Sequence, residues 1–250
     1  MTNIIRIVQI TDMHLRMPPG PLRGMTLSTE ESLKKVLKYV EKADKDLILC
    51  TGDLTDSPDE ITYQRLIELL TPLESPIFCL AGNHDDPALA QNICQDSALS
   101  WQKTIEVDNW LIIMLDSYLA GETAGRLGRE ELDFLQTTLR NHYDKHTLVC
   151  LHHHPVKTDS EWMDNIMLQD YEALFSILDG QEQVKGLLWG HIHQKFEEIK
   201  NGILLLGTPS TCRQFKAGVD MFTLDNSPPA YRELLLHQDG RIETKVIMCM

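Results

Sequence analysis

Five short apolar segments in this chain are each followed by side chains of the types that bind metal ions in proteins. The segment at residues 77–81 leads into Gly82, Asn83, His84 and Asp85. The other four segments are residues 7–10, 47–50, 148–151 and 187–189, which lead into Asp12 and His14, Gly52 and Asp53, His152, His153 and His154, and Gly190, His191 and His193. The carboxyl ends of neighbouring parallel strands meet at one edge of a sheet. We therefore expect these side chains to form one composite metal site.

The first third of the chain predicts a parallel sheet. Residues 4–10 are almost entirely apolar, which is typical of a strand covered on both faces. Ser28 and Glu31 form a capping-box pattern before an amphipathic helix. Ser57 and Pro58 predict a second helix with Ser57 as its cap and Pro58 at its first position. The order strand, helix, strand, helix, strand is typical of an α/β fold.

The second half predicts a further, mixed sheet. A strand is expected at residues 107–115, and two hairpins with primed turns are expected around Asn201-Gly202 and Asp239-Gly240. No linker-like segment interrupts the sequence. We therefore expect residues 1–250 to form a single domain in which the C-terminal hairpins, about residues 195–250, complete the second sheet.

The charge composition of the chain indicates which kinds of binding partner to expect. The sequence has 23 Lys and Arg against 37 Asp and Glu, a formal net charge of -14, which opposes binding to nucleic acid or to an anionic membrane. Bound divalent cations would reverse that sign locally and attract a small anion. The six cysteines form no Cys-x-x-Cys pair. The N-terminal residues lack a signal-peptide pattern, and no apolar run reaches the length needed to cross a bilayer. These features predict reduced thiols and a cytoplasmic location.

The ligand types indicate the metal chemistry. Asp12 and His14 are two residues apart, as are His191 and His193, so in extended segments each pair would face one side, and Asp12 and His14 could chelate one ion. Carboxylate, imidazole and amide ligands without thiolates suit Fe, Mn or Zn. Seven ligands exceed the needs of one tetrahedral ion, whereas a bridging carboxylate could hold two ions about 3.5–4 Å apart for in-line displacement at phosphorus. Each motif alone could equally be a turn or a polar strand end; together they predict phosphoester hydrolysis.

The ordered series of motifs resembles the calcineurin-like metallophosphoesterase family. The series comprises Asp12 and His14, Gly52-Asp53, the segment 82–85, a histidine at a strand end, and Gly190-His191 with His193. Within that family the chain is most similar to the bacterial class III cyclic AMP phosphodiesterases, through residues 9–15, 151–155, 190–194 and 208–215. The resemblance implies an α/β fold (α+β in some schemes) with two mixed β-sheets packed as a sandwich flanked by helices.

The resemblance also implies the ligands of two divalent or mixed-valence ions, with Fe or Mn favoured and Zn or Co possible. Of the three adjacent histidines, His152 is preferred because it lies closest to the strand end, which leaves His153 and His154 as supporting, substrate-facing or simply buried residues. By resemblance, one ion is held by Asp12, His14 and His193, the other is held by Asn83, His152 and His191, and Asp53 bridges them.

The expected reaction is hydrolysis of 3',5'-cyclic AMP to 5'-AMP by in-line attack of a metal-bridging hydroxide. His84 is expected to stabilise or protonate the leaving alkoxide, and Asp85 to orient the His84 ring. Walls for the nucleotide base are expected at residues 155–168 and 207–215, where Trp162, Arg213 and Phe215 could contact it. The residues expected to bind the substrate are His14, Asp53, Asn83, His84 and His193.

Three other functions stay open at this point. The first is a broad phosphodiesterase that acts on 2',3'-cyclic nucleotides or other diesters, and the second is a phosphomonoesterase. The third is a non-catalytic scaffold of the same fold, which the full set of ligands makes the weakest alternative. The preference for cyclic AMP rests on the resemblance alone. The sequence does not distinguish a monomer from a homodimer.

Overall fold

The computed structural model describes residues 4–250. Two six-stranded sheets and one two-stranded ribbon make up its β-structure, with helices between the strands. The strands are β1 (Ile4–Ile10), β2 (Leu47–Thr51), β3 (Ile77–Leu80), β4 (Leu99–Ser100), β5 (Thr104–Val107), β6 (Trp110–Met114), β7 (His146–Cys150), β8 (Val184–Trp189), β9 (Phe196–Lys200), β10 (Ile203–Gly207), β11 (Gln214–Phe215), β12 (Leu224–Asp225), β13 (Ala230–His237) and β14 (Ile242–Met248). The α-helices are α1 (Thr29–Lys42), α2 (Glu60–Leu70), α3 (Pro87–Cys94), α4 (Gly128–Asn141), α5 (Glu161–Asp164) and α6 (Tyr171–Leu178), and a 3₁₀ turn covers Thr71–Leu73.

The first sheet has the strand order β14-β13-β1-β2-β3-β4. Its strands β1 to β4 pair in parallel, as the strand and helix pattern predicted. β13 pairs antiparallel with β1, with Ile7 opposite Leu234, and β14 pairs antiparallel with β13. The expectation that all C-terminal hairpins complete the second sheet is therefore wrong for β13 and β14. Instead, β13 pairs with the edge of β1 that β2 leaves free. Its alternating buried residues Leu234 and Leu236 form an apolar inner face.

The second sheet has the order β5-β6-β7-β8-β10-β9 and contains the other hairpin. Asn201 and Gly202, between β9 and β10, both have positive φ, at 52° and 82°, which is the primed turn that was predicted. The turn between β13 and β14 differs. There only Gly240 has positive φ, and the amide of His237 donates to the carbonyl of Arg241, so a three-residue loop replaces the expected two-residue turn.

Two further boundaries differ from expectation. The strand predicted at 107–115 is present as β6, but it begins only at Trp110, because Asp108 has a φ of 50° and turns the chain between β5 and β6. The cap of α2 is Asp59, whose side chain accepts a hydrogen bond from the amide of Thr62 at 2.8 Å, so Ser57 lies outside the helix. The capping box of Ser28 and Glu31 at the start of α1 is confirmed.

Three apolar clusters join the elements into four layers. One packs α1, α2 and α3 on the first sheet, and another packs α4, α5 and α6 on the second. The third lies between the sheets and includes the fully buried Trp110. Burial of each large aliphatic side chain contributes about 1.5–3 kcal/mol, so these clusters fix the two sheets against each other. The predicted fold class, two mixed sheets packed as a sandwich and flanked by helices, is confirmed. None of the helices within residues 4–250 has the length and apolar character needed to span a bilayer.

Candidate metal centre

The ligand-type residues from both sheets meet at one end of the sandwich. Those of the first sheet follow β1, β2 and β3, and those of the second follow β7 and β8. The loops are tied to one another by their backbones, because the amide of Asp12 donates to the carbonyl of Gly52 and the amide of His14 donates to that of Asp53. Within the second sheet, the amide of Gly190 donates to the carbonyl of His152. Across the two sheets, the amide of His191 donates to Oδ1 of Asp12. The strand ends therefore form one rigid frame.

Most of these residues have an unusual backbone. Nine non-glycine residues among residues 4–250 have positive φ, and five of them carry ligand-type side chains: Asp12, His14, Asp53, His191 and His193. The expectation that the two Asp/His and His/His pairs lie in extended segments is therefore wrong. A left-handed conformation costs about 1–3 kcal/mol per residue and persists only where the surroundings enforce it. It brings the Asp12 and His14 side chains together by curling the chain instead of by strand alternation. His193 joins these two, whereas His191 lies beside His152.

Two glycines of the motifs have a steric role. Gly52 has a φ of 91°, and a Cβ atom at this position would overlap the ring of His152. A Cβ atom at Gly82 would overlap the side chain and amide of Asp53. Only a residue without a side chain allows these loops to approach so closely. This explains why glycine precedes Asp53 and Asn83 in the sequence.

Three side chains form the first group of potential ligands. The Nε2 atom of His193 lies 3.2 Å from Oδ1 of Asp12 and 3.2 Å from Nε2 of His14. All three side chains are nearly inaccessible to solvent. Their nitrogen and oxygen atoms lie close enough together to hold one ion.

Asp53 connects this group to a second one. Its Oδ2 atom lies 3.5 Å from Nε2 of His14, and its Oδ1 atom lies 3.4 Å from Nε2 of His152. The ring of His191 lies next to that of His152, with 5.1 Å between the ring centroids. The structure thus places one oxygen of a single carboxylate toward each group, which is the geometry that a bridging ligand requires.

Backbone carbonyls set the orientation of three rings. Nδ1 of His152 lies 2.8 Å from the Thr51 carbonyl, Nδ1 of His193 lies 2.7 Å from the Arg213 carbonyl, and Nε2 of His191 lies 3.1 Å from the Ile166 carbonyl. A carbonyl only accepts, so each of these nitrogens carries the proton. When such a ring is neutral, its other nitrogen has a free lone pair, and this tautomer is the one that metal-binding histidines need. Sequence patterns gave no sign of these carbonyl partners.

Unpartnered buried atoms fit a bound cation. Oδ1 of Asn83 and Nε2 of His152 are both buried and have no hydrogen-bond partner within residues 4–250. An unsatisfied buried polar atom costs about 1–3 kcal/mol, and an ion bound at this position would remove that cost. The donor set of oxygen and imidazole nitrogen without thiolate matches Fe, Mn or Zn. The residues present therefore fit the implied ions.

The local electrostatics also favour a cation. Burial raises the pKa of the Asp53 carboxyl, but the neighbouring His152 and His14 outweigh burial and hold it well below its usual range. Burial lowers the pKa of His152, but Asp53 reverses the effect and raises it to about 9. The proton on His152 thus occupies the place that a metal ion would take, because imidazole must lose it to bind. Burial holds the pKa values of His14 and His191 well below 6.5, so both rings are neutral.

His84 lies at the open side of this cluster. Its Nδ1 atom lies 2.9 Å from the carbonyl oxygen of Asp56, its amide donates to Oδ1 of Asp53, and its side chain is 40% exposed. Its ring is 4.7 Å from that of His14, centroid to centroid. Burial lowers its pKa, but Asp53 and the Asp56 carbonyl produce a net increase. Nε2 is left available for a ligand.

Asp85 does not orient His84, so that expectation is wrong. Oδ2 of Asp85 accepts from the amides of Leu54 and Gly82, and Oδ1 accepts from the amide of Thr55. The hydroxyl of Tyr63 also donates to Oδ1. The carboxylate is therefore an anchor between the loops after β2 and β3, and the Asp56 carbonyl, which the sequence gave no reason to single out, orients His84 instead.

The other two adjacent histidines have different surroundings. His153 uses both ring nitrogens, with Ser117 Oγ at 2.8 Å from Nδ1 and the Thr123 carbonyl at 3.2 Å from Nε2. His154 is buried and stacks on His191 with 5.6 Å between centroids. Burial lowers the pKa of His154 to about 3. Unlike His152, neither residue lies in an ion-pair contact with Asp53 among the described residues.

The two segments that were predicted to form walls for the nucleotide base lie beside this centre. The segment 155–168 supplies the Ile166 carbonyl to His191, and the segment 207–215 supplies the Arg213 carbonyl to His193. Phe215 stacks on the ring of His193, with 4.1 Å between centroids and an interplanar angle of 9°. Both segments therefore support the candidate ligands as well as bordering the opening.

Comparisons with known proteins identify relatives of this chain. Residues 5–195 match the family described as Calcineurin-like phosphoesterase. The chain is 40% identical over 244 residues to the 3',5'-cyclic adenosine monophosphate phosphodiesterase CpdA of Pseudomonas aeruginosa, which covers 97% of this chain and 89% of that protein. It is 38% identical over 246 residues to the protein of the same name from Escherichia coli K12, with the same two coverages.

A solved structure supports the fold. The crystal structure of a dimetal phosphatase from Danio rerio superposes with a TM-score of 0.65 and covers 98% of this chain and 99% of the other, at 14% sequence identity. The two six-stranded sheets and the ordered ligand series at their shared end agree with these similarities. The chain belongs to the calcineurin-like phosphoesterase family.

Proposed function

We propose that this chain is a metal-dependent phosphodiesterase that hydrolyses 3',5'-cyclic AMP to 5'-AMP. The observation that carries the proposal is the position of Asp53, whose two oxygens lie 3.5 and 3.4 Å from histidines of two separate groups. Relatives named 3',5'-cyclic adenosine monophosphate phosphodiesterase match nearly the whole chain at 36–40% identity. The substrate is accordingly a cyclic nucleotide.

The proposed ligand sets follow the two groups. The unpartnered Asn83 and His152 atoms support the second set, and the short contacts of His193 support the first. Asp12, His14 and His193 would hold one ion, Asn83, His152 and His191 would hold the other, and Asp53 would offer one oxygen to each. Fe and Mn are the proposed metals, and Zn or Co suit the same ligands.

Bound as a pair, divalent ions supply Lewis-acid stabilisation of the phosphoryl charge and activation of water. The side chains of the protein position the phosphodiester and supply a proton to the departing oxygen. The phosphodiester lies over the cluster against His14, Asn83, His84 and His193, with Asp53 beneath it. Water adds to phosphorus in line with the bond to the ribose 3' oxygen, and that bond breaks. His84, whose Nδ1 is fixed by the Asp56 carbonyl, gives a proton from Nε2 to the departing oxygen. One proton of the water stays on the new phosphate oxygen, and the other passes to solvent, from which His84 is protonated again.

A cytoplasmic location is part of the proposal. All six cysteines are free thiols, and all six are buried. Such thiols are typical of proteins in a reducing compartment. No nucleic-acid or membrane partner is proposed, because the net charge of -14 opposes both.

The test is hydrolysis of 3',5'-cyclic AMP by metal-depleted protein to which Mn or Fe is restored. Release of 5'-AMP that requires metal and is lost in the Asp53→Asn variant is the expected result. The substrate assignment would be abandoned if aryl phosphodiesters were cleaved while cyclic AMP was not. Comparable rates on 2',3'-cyclic AMP or on an aryl monoester would replace the proposal with the corresponding broader activity.

A further inference from the structure

An aromatic cluster lies beside the metal centre and consists of Trp162, Phe215 and Phe222. The ring centroids are 5.3 Å apart for Trp162 and Phe215, 5.3 Å for Trp162 and Phe222, and 5.2 Å for Phe215 and Phe222. All three pairs are edge-to-face, an arrangement that aromatic rings prefer over a direct sandwich. The cluster joins three segments that are distant in sequence.

The cluster is continuous with the candidate ligands. Phe215 stacks on His193 at 4.1 Å, and Nε2 of His193 lies 3.2 Å from Asp12. A molecule whose phosphate lay over the centre could therefore place an attached planar group against these rings.

Phe222 is held in position by a closed loop. The residues between β11 and β12 leave and return through the pairs Gln214 with Asp225 and Phe215 with Leu224. The amide of Lys216 donates to the carbonyl of Thr223 at 2.8 Å. The amide of Val219 donates to Oγ of Ser160, next to Trp162. The loop is thus fixed both at its base and along its length.

Phe222 differs from its two aromatic neighbours. Trp162 and Phe215 pack against the apolar cluster of the second sheet, whereas Phe222 is not part of any of the three core clusters. Its side chain is 43% exposed, and the adjacent Met221 is 77% exposed. Core packing therefore explains Trp162 and Phe215 but leaves the ring of Phe222 facing the solvent.

Arg213 lies against the same rings. Its guanidinium carbon is 5.7 Å from the centroid of Phe215 and 5.8 Å from that of Phe222. Within residues 4–250, the one hydrogen bond of the Arg213 side chain runs from Nη1 to the carbonyl of Arg23, and Nε is buried without a partner. This cation still has free donors beside an exposed aromatic ring, although the protein as a whole is strongly acidic.

We propose that Phe222 and Arg213 form the binding site for the base of a purine nucleotide, with Phe222 stacking on the base and Arg213 donating to a ring nitrogen. The inference rests on the proposed function, because the metal centre must hold the phosphate. A purine nucleotide carries both groups that the two adjoining sites fit, a phosphate and a planar ring with acceptor nitrogens. Stacking of a base on an aromatic side chain contributes about 1–3 kcal/mol.

The experiment compares binding of 5'-AMP and of ribose 5-phosphate to the Mn-loaded protein by calorimetry. The two probes share the phosphate and ribose and differ in the base. Wild type should bind 5'-AMP more tightly, and Phe222→Ala should lose about tenfold for 5'-AMP, equivalent to 1.4 kcal/mol, with no change for ribose 5-phosphate. Phe222→Tyr should restore the difference. Met221→Ala, on the same loop and more exposed, should bind both probes like wild type.

Kinetics provide the second readout. Phe222→Ala should raise KM for 3',5'-cyclic AMP about tenfold and leave kcat and metal content within twofold of wild type. Equal binding of the two probes by wild type, or unchanged 5'-AMP affinity in Phe222→Ala, would overturn the inference even if cyclic AMP were hydrolysed. Conversely, a protein that failed to hydrolyse cyclic AMP yet bound 5'-AMP through Phe222 would overturn the proposed function and leave this site standing.

Discussion

The Nε2 atom of His152 lies 3.4 Å from Oδ1 of Asp53, while its Nδ1 atom lies 2.8 Å from the carbonyl oxygen of Thr51. This relationship distinguishes His152 from the two histidines that follow it. We predict that His152→Ala will lower the metal content from about two ions per chain to about one, measured by atomic emission after dialysis. His153→Asn is the matched control, since its contacts are with Ser117 and Thr123, and it should keep both ions. The opposite pattern would move the ligand assignment to His153.

The role of His84 predicts a dependence on the leaving group. A proton matters greatly to a departing ribose alkoxide and little to p-nitrophenolate, which leaves without help. His84→Ala should therefore reduce kcat on 3',5'-cyclic AMP by about 10²–10⁴-fold and reduce turnover of bis(p-nitrophenyl) phosphate much less. Metal content, measured in parallel, should stay near the wild-type value. An equal decrease for both substrates would assign His84 to binding the phosphoryl group instead of to proton transfer.

Asp85 is predicted to affect stability. Removal of its carboxylate would leave the buried amides of Gly82, Leu54 and Thr55 without an acceptor, and each such group costs about 1–3 kcal/mol. Asp85→Ala should therefore lower the free energy of unfolding of the metal-free protein by at least about 3 kcal/mol, as measured by urea titration. If the variant were as stable as wild type but slower per bound metal, Asp85 would have a direct part in catalysis.

Stability at acid pH should depend on Glu30. The Arg65 guanidinium, with Lys34, lowers the pKa of Glu30 from 4.5 to about 2, and the Arg65 contact joins α1 to α2 at 2.6 Å. Because the folded pKa is below the unfolded value, the contribution is complete above pH 4.5 and is lost as the pH falls from 4.5 to 2. Glu30→Gln should lower the free energy of unfolding by about 1–2 kcal/mol at pH 7, since Arg65 is partly screened by solvent.

The same experiment has an internal control. Glu68 also contacts Arg65 at 2.6 Å, but its side chain is 64% exposed, and exposed pairs contribute about 0–1 kcal/mol. Glu68→Gln should therefore change stability by no more than about 0.5 kcal/mol at any pH. Urea unfolding of the metal-free proteins at pH 7, 4 and 3 measures both variants. A Glu30→Gln deficit that persisted undiminished at pH 3 would show that the contact is not electrostatic.

The sequence predicted the fold and the ligand-type residues because both depend on local patterns. Apolar runs that end at Asp12, Asp53 or His191 are visible in the chain itself. The left-handed backbone of these residues was not predictable, since it is imposed by hydrogen bonds between loops such as that from the Asp12 amide to Gly52. The pairing of β13 with β1 was missed for a related reason, because a polar and apolar alternation specifies a strand but does not name its neighbour.

The misassigned role of Asp85 and the omission of Phe222 have different causes. Asp85 directly follows His84, and adjacency suggested a partnership that the fold does not make. Between Asp220 and Asp225, three of the four residues are large and apolar, namely Met221, Phe222 and Leu224. Apolar side chains in a short loop between two aspartates were the one signal that could have identified this surface.

The pairing of β1 with both β2 and β13 also determines when the first sheet can close during biosynthesis. The strand that leads to Asp12 is made long before its antiparallel neighbour, residues 230–237. At about 5–20 residues per second, β1 keeps one open edge for on the order of 10–45 s. The first sheet therefore closes only after every segment that carries a candidate ligand has been made.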